Sequence, residues 1–144
     1  MPRRESPSLK LLAQDEDDLA VISAALQDAV AKIGDISYEP GDRRLTLVMN
    51  RYRWEGERRE RIRTALQLGS VIKVQARKLR REARDAVVEL LNIGFEPTAA
   101  PAGVVSFNFA GGGDLRAEVE CLDAVLADIS QAWPTQRTPE HKAE

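Results

Sequence analysis

From Leu45 to Cys121 the apolar residues of this chain recur mostly at every second position, and that period leaves few folds open. Leu45, Leu47 and Met49 alternate with Thr46, Val48 and Asn50. Leu66 and Leu68 follow the same rule, as do Ile72, Val74 and Ala76. Val87, Glu89, Leu91, Ile93 and Phe95 share one face of a further run, and Val105, Phe107 and Phe109 one face of the next. Leu115, Ala117, Val119 and Cys121 then oppose Asp114, Arg116, Glu118 and Glu120. Side chains of an extended strand alternate between its two faces, so each run is read as a half-buried strand. Turn residues separate the runs: Pro40-Gly41-Asp42, Glu55-Gly56-Glu57, Pro97 to Gly103 and Gly111-Gly112-Gly113. Links this short join antiparallel neighbours.

Helical spacing flanks the strands. Leu19, Ile22, Leu26, Ala29, Val30 and Ile33 recur at steps of three and four, which predicts a helix over Glu16–Lys32. Asp15 is its N-cap, Glu16, Asp17 and Asp18 suit the positive end of its dipole, and Gly34 follows its end. Leu122, Val125, Leu126, Ile129 and Trp133 predict a second helix over Leu122–Trp133, stopped by Pro134. Leu9, Leu11 and Leu12 suggest one short strand before the first helix. The expected fold is α+β: a bent, mainly antiparallel sheet of about seven or eight strands, with both helices packed on one face. Closed by its C-terminal helix, it would resemble a pleckstrin-homology-like roll. Residues 8–134 form one domain in this reading, between loose polar tails at 1–7 and 135–144.

The chain is poor in catalytic side chains. Its one histidine, His141, falls in the polar C-terminal tail, and its one cysteine, Cys121, lies on the apolar face of a strand. Most general-base, zinc and redox chemistry needs more than that, so no enzymatic activity, metal or cofactor is expected. A lone cysteine forms no internal disulfide, no apolar run follows Arg3-Arg4 as in a signal peptide, and no stretch is long enough to span a membrane. A cytoplasmic protein without membrane contact is expected.

Charge is distributed unevenly. Residues 51–84 hold twelve Lys/Arg and four Asp/Glu, a local balance of +8 that leaves −10 for the remainder of a chain of net charge −2. It opens with Arg51-Tyr52-Arg53-Trp54, followed after Glu55-Gly56-Glu57 by Arg58, Arg59, Arg61 and Arg63. With Glu55-Gly56-Glu57 as a three-residue hairpin loop, Arg53 would face Arg59 and Arg51 would face Arg61. Like charges directly opposed cost up to about 1 kcal/mol, so such a row asks for an acidic counterpart. Arginines among aromatics suit protein interfaces. They also suit single-stranded nucleic acid, where cations meet phosphates and rings meet bases. The strip reads equally as a solvated hairpin balanced by its own glutamates; as a contact surface it comprises Arg51, Tyr52, Arg53, Trp54, Arg59, Arg61 and Arg63. Its expected partner is a second copy of the chain or another acidic protein, with nucleic acid or another polyanion as the alternative.

The remaining motifs read as scaffold. Gly111-Gly112-Gly113 lacks the Lys-Ser/Thr of a phosphate loop and reads as a hairpin turn. Glu118 and Glu120 read as the solvated face of a strand, Cys121 as a packed thiol, and Arg77 to Arg84 as an exposed basic loop.

Beyond these patterns, Leu9-Lys10-Leu11-Leu12-Ala13 with Asp17-Asp18-Leu19-Ala20-Val21-Ile22 resembles a bacterial family of small uncharacterised proteins, domain of unknown function 2948. Further likeness lies in Asn50-Arg51, Trp54-Glu55, Phe95-Glu96-Pro97, Phe109-Ala110-Gly111-Gly112-Gly113 and Glu118-Val119-Glu120-Cys121. The resemblance implies a stand-alone cytoplasmic bacterial protein of this size and carries no site residues with it.

Overall fold

The alternating segments pair edge to edge into one antiparallel sheet. A computed structural model describes residues 8–136 and 138. Its strands are β1 (Lys10–Ala13), β2 (Val30–Lys32), β3 (Ile36–Glu39), β4 (Arg44–Tyr52), β5 (Glu60–Leu68) and β6 (Val71–Arg77). β7 (Val87–Pro97), β8 (Gly103–Phe109), β9 (Asp114–Val119), β10 (Ala124–Asp128) and β11 (Trp133–Pro134) complete them, with one α-helix, α1 (Glu16–Ala25). Their order is β1-β10-β5-β4-β2-β7-β8-β9-β6, with β3 beside β4 and β11 beside β5.

This corrects the expected α+β fold of seven or eight strands and two helices: among the described residues there are eleven strands and one α-helix. The segment expected as the helix Leu122–Trp133 is β10 followed by the short β11. Its apolar residues fit either period. Leu122, Ala124 and Leu126 are buried at alternate positions, and the Asp128 side chain continues the same inward line. Two ladders decide between the periods, with Leu126 opposite both Leu66 of β5 and Leu11 of β1. An isolated helix of that length is marginal, whereas a strand here closes the open edges of two others. Without a C-terminal helix, the roll closed by one falls too.

The expected helix Glu16–Lys32 also ends early, at Ala25. Its start is as read: Asp15 Oδ1 accepts the Asp18 N–H at 2.8 Å. Its end is set by Asp28, which takes a left-handed φ of 63°. The chain then enters the sheet, as Asp28 N–H donates to the Leu90 carbonyl and Leu90 N–H to the Ala29 carbonyl, both at 2.8 Å. The inward stripe persists through Leu19, Ile22, Leu26 and Ala29, although only the first two lie in the helix. The hydroxyl of Ser23 accepts the Ile93 N–H at 2.9 Å and ties α1 to β7.

Within β7 the register shifts between Leu90 and Asn92. An extra residue turns the strand over. Leu90 and Ile93 are therefore both buried, while Val87 and Leu91 are exposed, against the single face expected for this run. Phe107 and Phe109 of β8 sit fully buried at the centre of the core, each contributing about 1.5–3 kcal/mol from removal of apolar surface from water.

The sheet curls until β6, its last strand, comes beside β3. Val71 N–H donates to the Arg43 carbonyl at 2.9 Å, and the Tyr38 hydroxyl donates to the Val71 carbonyl at 3.1 Å. Residues 78–86, which join β6 to β7, fasten the other side of the seam: Gly34 N–H bonds to the Arg84 carbonyl and Ile33 N–H to the Ala86 carbonyl. Between these ties β3 pairs only with β4, and β6 only with β9.

Candidate functional site

The β4–β5 hairpin does not take the expected register. Arg51 pairs with Ile62, Tyr52 with Arg61 and Asn50 with Arg63. The connection runs from residue 53 to residue 59 instead of through Glu55-Gly56-Glu57 alone. A one-residue change of register moves alternate side chains to the other face of a sheet. The arginines therefore do not form one row. Arg51 and Arg53 turn into the protein, while Arg61 and Arg63 turn outward.

Arg51 continues the inward line of Leu45, Leu47 and Met49 and is fully buried. Its Nε and Nη2 donate to Oδ1 and Oδ2 of Asp128 at 2.9 and 2.8 Å. Nη1 and Nη2 donate to the two carboxylate oxygens of Glu55 at 2.9 and 2.8 Å. Burial alone would push the Arg51 guanidinium down, but these bonds and the two negative charges outweigh it and hold it above its ordinary value. Glu55 answers in kind: the Arg51 hydrogen bond holds its carboxyl below the ordinary value against partial burial. Arg53 is buried beside Glu60, with Nη1 and Oε1 at 2.8 Å. Both inward arginines are thus neutralised within the fold.

On the outward face a different group assembles. Tyr52 of β4, Arg61 of β5 and Trp133 of β11 stand in one register line across three strands. Trp54 packs edge-on to Tyr52 with ring centroids 4.7 Å apart, and its Nε1 donates to the Gln27 carbonyl at 3.3 Å. Tyr52 is buried and shares a 3.4 Å hydrogen bond with the Thr138 hydroxyl. Trp54 and Trp133 remain 36% and 37% exposed. Arg63 is held by Asn50 Oδ1 and Asp35 Oδ2, each at 3.2 Å. Arg59 is exposed, and its carbonyl accepts the Thr135 N–H. Trp133 is the member that sequence reading missed, because the period assigned to 122–133 placed it in the core.

Residues 9–141 match the family model described as protein of unknown function DUF2948. The chain belongs to this family. No curated protein and no solved structure matches it. The resemblance read from the scattered motifs therefore holds along nearly the whole DUF2948 chain.

The other candidates of this DUF2948 member resolve singly. Cys121 is half-buried, with its Sγ 3.7 Å from the Ser70 hydroxyl. Glu120 pairs with Arg43. Gly111 and Gly112 take φ of 90° and 95° in the β8–β9 turn, where their lack of a Cβ is used. His141 lies outside the described residues. Among the described residues no three of His, Cys, Asp or Glu gather as metal ligands, and no helix is long and apolar enough to cross a membrane. Of the run expected as a basic loop, Arg77 instead ends β6, bound to Asp114 of β9 with Nη2 to Oδ2 at 2.6 Å. Leu79, Arg81 and Arg84 line a cavity of about 280 Å³ in the seam between β3 and β6.

Proposed function

We propose that this chain is a non-enzymatic binding protein that engages an acidic protein surface, foremost a second copy of itself, through the outward face of the β4–β5–β11 ribbon. The contacts are Trp54, Arg59, Arg61 and Trp133. Arg51 and Arg53 act behind them as a buried frame that holds the hairpin.

The observation that carries this reading is the line Tyr52–Arg61–Trp133 with Trp54 beside it, two tryptophans about one-third exposed on either side of an arginine. Partly exposed Trp and Arg clustered on a rigid sheet have the composition of interface hot spots. Arg58, Arg59 and Arg61 make no ion pair among the described residues, while Asp15, Glu16, Asp17 and Asp18 are exposed at the start of α1. A second copy therefore supplies the opposite charge. Nucleic acid ranks below, because Arg51, Arg53 and Arg63 already hold internal carboxylates and leave few cations for a phosphate backbone.

Sedimentation equilibrium over a range of protein and salt concentrations tests the reading. The wild type should self-associate, less so at high salt, and Trp133→Ala/Arg61→Glu should remain monomeric while unfolding at a similar denaturant concentration. A wild type that stays monomeric at every concentration and salt overturns self-association. Tight binding of labelled single-stranded RNA that falls steeply with salt would move the function to the nucleic-acid alternative.

A further inference from the structure

Independently of the ribbon, we propose that the seam between β3 and β6 is a binding site for a small amphipathic carboxylate, its apolar chain in the cavity and its head at Arg81 and Arg84. The cavity exists because two strand edges face one another without pairing. Ile36 and Tyr38 of β3 form one wall, Val74 and Ala76 of β6 the other, and Leu45 and Leu115 lie among them. The pocket opens to solvent where the exposed Arg81 and Arg84 stand, and its inner walls are apolar.

Its volume of about 280 Å³ lies just below the range of drug-sized ligand sites, which run from about 300 Å³ upward, and suits a small ligand. At about 30 Å³ for each water-sized group it has room for roughly nine, the size of a six- to eight-carbon chain with its head at the opening. The charged lining residues are both arginines. Arg81 and Arg84 are exposed, no carboxylate lines the cavity, and neither arginine has an ion pair among the described residues. Of the loop's own acids, Asp85 lies 4.0 Å from Lys32. The Arg84 Nη2 donates to the Gly34 carbonyl at 3.3 Å, which keeps that guanidinium beside the opening. An apolar chamber with two guanidinium groups that make no ion pair among the described residues selects an apolar tail ending in an anion. Two hydrogen-bonded ties hold the walls apart at either side of the seam, so the chamber is present before a ligand arrives.

Octanoate, titrated into the ¹⁵N-labelled full chain, tests the site, with octanamide as the uncharged arm that also stands for an acyl group carried in ester or amide linkage. Octanoate should shift the amides of Tyr38, Val74, Ala76 and Leu115 saturably. Octanamide should bind about tenfold more weakly, the worth of a charge-assisted hydrogen bond. Arg81→Gln/Arg84→Gln, on an exposed loop, should bring octanoate down to the octanamide level, and Ala76→Phe should block both by filling the chamber. Absence of saturable shifts, shifts confined to another surface, or equal affinity for the acid and the amide would overturn the assignment.

Discussion

Arg51 and Asp128 meet in two parallel hydrogen bonds of 2.9 and 2.8 Å, and neither side chain is exposed to solvent. Asp128 also accepts the Leu9 N–H at 2.8 Å, so this one pair ties β4 to β10 and to the residue before β1. Removing one partner of a buried pair strands the other's charge. Arg51→Ala should lower the unfolding free energy by about 3–5 kcal/mol in urea denaturation. Asp128→Ala should cost less, because Glu55 still neutralises Arg51. If the two changes prove equal, Glu55 does not share the charge as described.

Acid stability should report on Glu55. Its carboxyl lies below the ordinary value of 4.5 in the folded protein, chiefly through the Arg51 hydrogen bond. A depressed carboxyl contributes stability that is present above the unfolded value and is lost as pH falls through the folded one. The unfolding free energy should therefore hold from neutral pH to about 5 and decline below about 4.5. Glu55→Gln should make that acid limb shallower. The same acid limb in Glu55→Gln and the wild type would contradict the assignment.

Gly103 is required by close approach. A Cβ there would meet two ring atoms of Phe95 at 2.5 Å and the Glu96 carbonyl at 2.7 Å. Gly103→Ala should destabilise by about 1–3 kcal/mol through overpacking. Gly94, in the neighbouring strand β7, has nothing within 4 Å of such an atom. Gly94→Ala should be neutral or stabilising by up to about 1 kcal/mol, because alanine restricts the unfolded chain. Thermal unfolding of the two variants side by side checks both signs.

The N-cap of α1 should behave as a local, separable contribution. Asp15→Ala removes the acceptor of the Asp18 N–H and should cost about 1 kcal/mol, whereas Asp15→Asn, which keeps an acceptor, should cost much less. A loss of the same size in both would point to charge, not the cap.

Much of the site's chemistry was visible in the sequence, but its geometry was not. The run Arg51-Tyr52-Arg53-Trp54 stands out on composition, and Asp15, Gly111 and Gly112 serve as their residue types suggest. The parity of Leu45, Leu47 and Met49 extends to Arg51, a signal of its inward side chain that the row of arginines obscured. Pairing it with Arg61 required a three-residue loop, and the loop is longer. One register position then separated arginines that read as a single row. Trp133 stayed hidden because the residues from 122 onward satisfy a helical and an extended period alike.

The chain's own pattern thus determined most of the strand alternation, where α1 begins and the glycine turn at Gly111-Gly112, because each depends on neighbours a few residues away. Tertiary contacts decided that residues 124–128 extend between β1 and β5, that Arg51 is sealed against Asp128, and that β3 and β6 face each other unpaired across a cavity. Those outcomes depend on which distant edges meet, and hydrogen-bond satisfaction between segments far apart in sequence overrides the local preference of either one.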